Sequence, residues 1–230
     1  MSAALFAWPG QAAFHRVLPK NKIYTYAKPS AAVKELFVRQ VEQIVWQYKL
    51  APETIHLPAT KSVPEIQIFS LALKTESLSR EVLRCIDRAV QFPIIFELKF
   101  DGKTQLAACY KRPNEADRSK WVCSEYFSTD WFNNDSERVP LPTALDLGGL
   151  YEQLLKVVMP IAVRKREPLA DLVARVEQIH LKQREADQLA TRLGKEKQFN
   201  RKVELNSKLR QLKNELASLT TENTERHGNG

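Results

Sequence analysis

The stretch that decides the fold of the tail is Leu169-Ala-Asp-Leu-Val-Ala-Arg-Val-Glu-Gln-Ile-His-Leu-Lys-Gln-Arg-Glu-Ala-Asp-Gln-Leu-Ala-Thr-Arg-Leu193. Its apolar side chains recur at steps of three and four, the spacing of one face of an α-helix. They are Leu169, Leu172, Val176, Ile179, Ala186, Ala190 and Leu193, and only Gln183 fails at an expected position. The spacing predicts a long helix with one apolar stripe.

A second apolar stripe follows at Leu205, Leu209, Leu212, Leu216 and Leu219. The register of the first stripe points to Asn200 and Ser207 instead, so the two stripes are out of phase. The phase breaks within the basic stretch Gly194-Lys-Glu-Lys-Gln-Phe-Asn-Arg-Lys202. This pattern predicts a helical hairpin or a hinged coiled coil. The five leucines are then its assembly residues, within one chain or between the chains of a homo-oligomer.

The net charge of +8 is concentrated in the same tail. Between Arg164 and Glu215 there are fourteen Lys and Arg against eight Asp and Glu, so the remainder of the chain is nearly neutral. A basic helical surface suits nucleic acid, an acidic partner protein or an anionic membrane surface. A solvated helix face carrying mixed charges is the ordinary alternative.

An antiparallel hairpin would crowd five cations at its tip, namely Arg192, Lys195, Lys197, Arg201 and Lys202. Its first arm, about 25 residues at roughly 1.5 Å each, would hold that tip about 40 Å from its root. Arg164, Lys165 and Arg166 would form a second patch at the root. We expect these eight residues to contact nucleic-acid phosphates, with binding that salt weakens. The alternative is a solvated turn in an element that docks a protein.

The first 60 residues contain three predicted elements, the first of them within a lead-in over residues 1–29. Ile23-Tyr-Thr-Tyr26 reads as a short strand within that lead-in. Ser30 is a suitable N-cap for a helix whose apolar positions continue to Tyr48 and which ends at Leu50-Ala-Pro52. Thr54-Ile-His-Leu57 reads as a second short strand.

The next hundred residues alternate between strand and helix signals. Asp101-Gly102 predicts a two-residue hairpin turn with positive φ at both positions. A helix begins at Ser77 or Ser79 and stops at Pro93. The remaining predicted elements are strands over 65–73, 94–100, 104–110 and 121–127 and a helix over 147–158.

This order of elements predicts the α+β class, with a mostly antiparallel sheet and flanking helices, followed by the helical hairpin or coiled coil. We place an α+β globular domain at 1–160, the helical tail at 161–222 and a disordered terminus at 223–230. Pro168 fits the first turn of the tail helix, where a missing N–H costs nothing.

Composition excludes several functional classes. Cys85, Cys109 and Cys123 form neither a CxxC pair nor a ligand cluster with the four histidines, so we expect no metal site and buried reduced thiols in a cytoplasmic protein. No apolar run reaches the roughly 18 residues of a membrane span, and the N-terminus lacks signal-peptide features. No nucleotide, zincin or hydrolase motif is present, so we expect no cofactor.

One enzymatic reading is a metal-dependent nuclease of the PD-(D/E)xK type. Glu97 and Lys99 have its spacing on a strand, where alternate side chains share a face, and Glu65 could supply the upstream acid. A predicted helix separates the two acidic elements, however, and the strand of Glu97 leads into a hairpin. Glu-x-Lys is also a common tripeptide.

Three stretches resemble a bacterial family known only as a domain of unknown function of about this length. They are Val45-Trp-Gln-Tyr-Lys-Leu-Ala-Pro52, the segment from Leu141 to Leu155, and Lys195-Glu-Lys-Gln-Phe-Asn-Arg-Lys-Val-Glu-Leu-Asn206. Members of that family tend to be encoded beside a superfamily 2 helicase and a DNA methyltransferase, in loci that resemble restriction or phage-defence systems. The resemblance implies a DNA-linked complex and supplies no catalytic residues.

Three functions remain open at this point. The first is a non-enzymatic accessory subunit that docks a helicase or methyltransferase and contacts duplex DNA through its basic tail. The second is the metal-dependent nuclease. The third is a self-assembling structural protein with no role in nucleic-acid binding.

Overall fold

A computed structural model of the chain describes residues 4–114, 116, 117 and 120–221. The chain divides into two compact units, residues 1–159 and residues 160–230. The predicted disordered terminus at 223–230 lies outside the described residues.

The first unit combines nine strands with five helices among its described residues. The strands are β1 Leu5–Ala7, β2 Ala13–Val17, β3 Val41–Leu50, β4 Ile66–Leu73, β5 Ile94–Phe100, β6 Lys103–Pro113, β7 Trp121–Ser128, β8 Phe132–Asn133 and β9 Arg138–Pro140. The helices are α1 Lys20–Ala27, α2 Ala31–Gln40, α3 Pro52–Ile55, α4 Arg80–Ala89 and α5 Leu147–Val158.

The main sheet has the order β2-β3-β4-β5-β6-β7, with β8 paired to β6. Its pairs are antiparallel except β4 with β5, which α4 connects as a crossover. Strands β1 and β9 form a separate parallel pair. The prediction of an α+β fold with a mostly antiparallel sheet and flanking helices is confirmed.

Both faces of the sheet are buried. On one face, Phe69 and Leu71 of β4 and Phe96 of β5 share a core with α1, α2 and α4. The alternate residues Ile68 and Ile95 are also buried, although they lie outside that core. A strand that is buried on both sides is rich in apolar residues, as β4 and β5 are, although Gln67 and Ser70 interrupt β4 and Glu97 and Lys99 interrupt β5.

Local signals correctly place several element ends. The Ser30 and Ser79 hydroxyls accept hydrogen bonds from first-turn backbone N–H groups of α2 and α4. The Asp146 carboxylate does the same for α5. Asp101 and Gly102 have φ of 46° and 69°, so the predicted turn between β5 and β6 is confirmed.

The predicted helix from Ser30 to Tyr48 is wrong in its second half. Helix α2 ends at Gln40, and Val41–Leu50 forms β3 between β2 and β4. The run of β-branched and aromatic residues after Gln40 matches helical spacing, but it also has high strand propensity. Hydrogen bonding to β2 and β4 along its two edges stabilises this segment as a strand rather than a helix.

Both short strands predicted near the N-terminus are also wrong. Residues 23–26 lie in α1, where Ile23 and Ala27, four residues apart, are buried on one face. Residues 54 and 55 lie in α3, which has Pro52 in its first turn. In each case the proline that opens the helix, Pro19 or Pro52, is a better guide than the alternation that follows it.

The second unit contains two helices, α6 Leu169–Lys195 and α7 Phe199–Thr220. Pro168 is the N-cap of α6. The helices pack as an antiparallel pair within one chain, which confirms the hairpin reading of the tail. Among the described residues, no helix is long and apolar enough to cross a membrane.

Candidate functional site

The hairpin seam uses most of the predicted stripe residues. Leu172, Val176 and Ala186 of α6 and Leu212 of α7 are buried. The other four predicted leucines of α7, Leu205, Leu209, Leu216 and Leu219, are half-buried. The five leucines lie on α7, which packs against α6, so they already take part in the pairing of the two helices within one chain.

The seam of α6 departs from the predicted stripe at two places. Gln183 and Ala190 are exposed, whereas their neighbours Lys182 and Leu189 are half-buried. The Lys182 ammonium lies 2.6 Å from the Glu215 carboxylate of α7. The gap in the apolar stripe is therefore filled by an ion pair that joins the two helices.

Two arginines fix the open end of the hairpin. One guanidinium edge of Arg175, its Nε and Nη2, donates to the two Glu167 carboxylate oxygens, each at 2.7 Å, and Nη1 donates to the Leu219 carbonyl at 2.9 Å. Arg164 donates to the carbonyls of Ser218, Leu219 and Thr221. These carbonyls lie at the C-terminal end of α7, where the helix leaves carbonyl groups in need of donors, and the two arginines supply such donors.

The predicted root patch is therefore divided by the structure. The Arg164 guanidinium is half-buried against the end of α7, whereas Lys165 and Arg166 are exposed. Lys165 and Arg166 remain available to a ligand, whereas Arg164 stabilises the end of α7.

The turn between α6 and α7 consists of Glu196, Lys197 and Gln198. The Glu196 carboxylate accepts hydrogen bonds from the backbone N–H groups of Gln198 and Lys197, both at 2.8 Å. These bonds lower the pKa of Glu196 below its usual value. Glu196 therefore stabilises the turn by accepting from two consecutive backbone N–H groups just before α7.

All five cations that were predicted at the tip are exposed there. They are Arg192, Lys195, Lys197, Arg201 and Lys202. Within the described part of the chain, no carboxylate lies within 4.0 Å of any of these five groups. We call this set the basic elbow.

The basic elbow contains a surface concavity of about 380 Å³. Three of its cations, Arg192, Lys195 and Arg201, line it together with Glu196 and Glu204. Both carboxylates have other partners, because Glu196 accepts from the backbone N–H groups of the turn and Glu204 lies 2.7 Å from the Lys208 ammonium. The concavity is therefore lined by three cations and two carboxylates, and none of these cations has a carboxylate of the described residues within 4.0 Å.

The residues of the nuclease reading are not brought together. Glu97 pairs with Ser70 across the β4–β5 ladder, and Glu65 precedes Ser70 by five residues. At about 3.3 Å per residue, the two positions are roughly 16 Å apart along the sheet. Glu97 is buried and accepts from the Trp8 indole at 2.8 Å and from Arg138 at 2.9 Å.

Glu65 and Lys99 also occupy other environments. The Glu65 carboxylate lies 3.3 Å from the Lys49 ammonium and accepts from the Gln67 amide. Lys99 is half-buried on β5. This geometry offers no shared metal position to Glu65 and Glu97, so it does not favour the nuclease.

A second candidate site, which sequence reasoning missed, lies between α4 and the β6–β7 pair. The Lys111 ammonium and the Asp87 carboxylate are 3.1 Å apart, with side chains only 1% and 2% exposed. Lys111 also donates to the backbone carbonyls of Asp87 and Val90, and Tyr126 donates to Asp87. Burial is the main cause that raises the pKa of Asp87.

Two of the three cysteines meet at this buried pair. The Cys109 and Cys123 sulfurs and an Asp87 oxygen all lie within 4.8 Å of one another. Cys109 is buried as predicted, but Cys123 is exposed, so the prediction of three buried thiols is wrong. The cause is the position of Cys123 on β7, which ends the strand order of the sheet.

A register shift in the β6–β7 ladder explains how these side chains share one face. Cys109 pairs with Tyr126 and Lys111 pairs with Cys123, with an irregularity between the two pairs. Residues 123 and 126 would face opposite sides of a regular strand, and the extra residue of a bulge restores them to one side. No residue pattern in the sequence predicts this bulge.

The chain belongs to the family described as a domain of unknown function, DUF4391, whose model matches residues 6–216. No curated protein and no solved structure matches the chain.

Proposed function

We infer that this protein is a non-enzymatic accessory subunit of a DNA-acting complex and that its basic elbow contacts the phosphates of duplex DNA. The observation that carries the proposal is the set of five exposed cations at one end of the hairpin, none of which has a carboxylate of the described residues within 4.0 Å. Cations that already had carboxylate partners would gain little from a phosphate, whereas unpaired ones release condensed counterions when they bind DNA.

The contacts that join the two helices support this proposal. The Lys182–Glu215 ion pair and the contacts of Arg175 with Glu167 and Leu219 join α6 to α7 or close the root. A rigid support keeps the side chains of the elbow clustered before DNA arrives, so less ordering is needed on binding.

The identity of the partners rests on the family resemblance. Neighbourhoods with a superfamily 2 helicase and a DNA methyltransferase support one of these proteins as the docking partner, in a restriction or phage-defence system of the bacterial cytoplasm. The self-assembling alternative is less favoured, because the seam leucines pack between the helices of one chain.

The test is duplex-DNA binding by the full chain, measured by fluorescence anisotropy over a range of salt concentrations. We expect binding that falls steeply with salt. The variant Lys197→Glu with Arg201→Glu should bind more weakly, and its plot of log K against log salt should be shallower by about 2, since each lost phosphate contact removes about 0.9.

The matched control is Lys61→Glu with Lys103→Glu, which changes the net charge by the same amount at two exposed positions of the first unit. It should retain the parent slope. Equal weakening in both variants would mean that only total charge matters and would refute the elbow as the contact. Co-purification of the native complex tests the partner, and recovery of neither a helicase nor a methyltransferase would contradict that part.

A further inference from the structure

A pocket of about 470 Å³ in the first unit is lined by Cys123 of the Cys109–Cys123 pair. Its lining residues are Arg84, Asp87, Arg88, Val90, Gln91, Lys120, Trp121 and Cys123. One wall is therefore α4 and the other is the start of β7. The pocket gives an external molecule direct access to the Cys123 thiol.

Three of the lining residues carry positive charge, namely Arg84, Arg88 and Lys120. Arg84 and Lys120 each have a carboxylate partner, at 3.0 Å from Glu81 and 3.0 Å from Asp117. Arg88 is exposed, and no carboxylate of the described residues lies within 4.0 Å of it. The rim therefore favours an anionic ligand.

The two sulfurs below this rim differ in accessibility. Cys123 faces the pocket, whereas Cys109 lies behind it and its thiol is 3.6 Å from the Asp87 carboxylate. The neighbouring Cys109 thiol is the main cause that lowers the pKa of Cys123 below its usual value; the charges of Lys111 and Arg84 lower it further, whereas burial and the Asp87 carboxylate raise it. Such an environment favours a reactive thiolate at the accessible position.

We propose that Cys123 and Cys109 form a thiol–disulfide exchange site for small anionic disulfides, with Cys123 as the attacking thiol and Cys109 as the resolving thiol. This site is independent of DNA binding by the basic elbow. Its geometry supplies the three requirements, which are an accessible sulfur, a second sulfur within 4.8 Å and a cationic rim for the incoming molecule.

The exchange balances in two steps. The Cys123 thiolate attacks one sulfur of the disulfide, so a Cys123–S bond forms, the original S–S bond breaks, and the first leaving thiolate takes up the proton that Cys123 lost. Cys109 then loses its proton and attacks Cys123, which forms the Cys109–Cys123 bond and releases the second thiol. Two thiols are oxidised and one disulfide is reduced.

A metal ion fits this cluster less well than a disulfide does. The Lys111 ammonium lies 3.1 Å from one Asp87 oxygen, and Tyr126 and Cys109 donate to the other. A cation would have to displace these donors and remain beside a fixed positive charge. The same positive charge stabilises a thiolate.

The experiment treats the reduced full chain with oxidised glutathione, an anionic disulfide, and follows the products by mass spectrometry of the intact protein and its peptides. We expect wild type to lose two hydrogens and to yield a Cys109–Cys123 crosslink. The Cys109→Ser variant should stop at a glutathione adduct on Cys123, and Cys123→Ser should form neither product. Cys85→Ser is the control and should behave as wild type.

The cationic rim is tested with cystamine, a disulfide that carries positive charge. We expect Arg88→Gln to slow the reaction with glutathione disulfide by about tenfold, the lower end of electrostatic steering, and not to slow the reaction with cystamine. A glutathione adduct that persists in wild type would overturn the resolving role of Cys109. Stoichiometric Zn²⁺ binding that requires both cysteines would identify a metal site and overturn the proposal.

Discussion

The buried Lys111–Asp87 pair makes the strongest stability prediction. Lys111→Met removes the ammonium and leaves the Asp87 carboxylate enclosed without its cation, while the carbonyls of Asp87 and Val90 lose the donor that lies 2.7 and 2.5 Å from them. Removal of one partner of a buried ion pair costs about 3–5 kcal/mol, because the remaining charge has no compensation. We expect the free energy of unfolding of the first unit to fall by that amount at neutral pH.

The loss should shrink in acid. Burial already raises the pKa of Asp87 in the folded state, and loss of Lys111 raises it further. A folded state with the higher pKa binds the proton more tightly than the unfolded chain, so its stability rises as the pH falls. Protonation removes the buried charge that causes the penalty.

The assay is urea unfolding of the full chain followed by tryptophan fluorescence. All four tryptophans, Trp8, Trp46, Trp121 and Trp131, lie in the first unit, so this signal does not report on the hairpin. Lys103→Met is the control on the same strand, because Lys103 is exposed and its substitution should change stability by less than about 0.5 kcal/mol. A Lys111→Met variant as stable as this control would refute the reasoning.

The hairpin supports two further predictions, both measured by thermal unfolding in far-ultraviolet circular dichroism with the parent chain as reference. The hydrogen bond from Arg175 lowers the pKa of Glu167 below its usual 4.5, so the stabilisation by this carboxylate is complete above that pH and is lost as the pH falls through the lower folded value. Glu167→Gln should therefore lower the unfolding temperature near neutral pH and have little effect in strong acid. A constant difference in unfolding temperature at all pH values would contradict this. Leu212→Ala should destabilise the hairpin by about 2 kcal/mol because it leaves a cavity at a buried seam position. Leu181→Ala is the control and should have little effect, because Leu181 is 62% exposed. Equal losses of stability in the two variants would argue against the seam.

The sequence predicts those parts of the fold that local chemistry controls. Side-chain caps such as Ser30 and Ser79 and the turn at Asp101-Gly102 each have a physical requirement that few residue types meet. The α+β class follows from the order of such elements. The hairpin follows from two apolar stripes whose phases do not match.

The parts that sequence reasoning missed are decided by tertiary pairing. Val41–Leu50 fits a helix by spacing, but it becomes a strand because β2 and β4 hydrogen-bond to both of its edges. Those partners lie far away in the sequence, so no local pattern reports them. The shift of the α6 seam from Ala190 to Leu189 likewise depends on where α7 packs.

The two candidate sites also differ in how far the sequence alone predicts them. The cations of the basic elbow lie within eleven residues of one another, and a turn brings them together whatever the rest of the chain does. The exchange site needs Asp87 from α4, Cys109 from β6 and Cys123 from β7, and it also needs a bulge that turns Cys123 toward the other two. Sequence separation hides such a site, yet its chemistry is the more specific of the two.

Exposed cations act mainly by their number and are each worth little in water, whereas two sulfurs beside one buried ammonium lose their function when any one of the three is moved. Variants should reflect this difference: single substitutions in the elbow should weaken DNA binding in small steps, while Cys109→Ser or Cys123→Ser alone should abolish the crosslink.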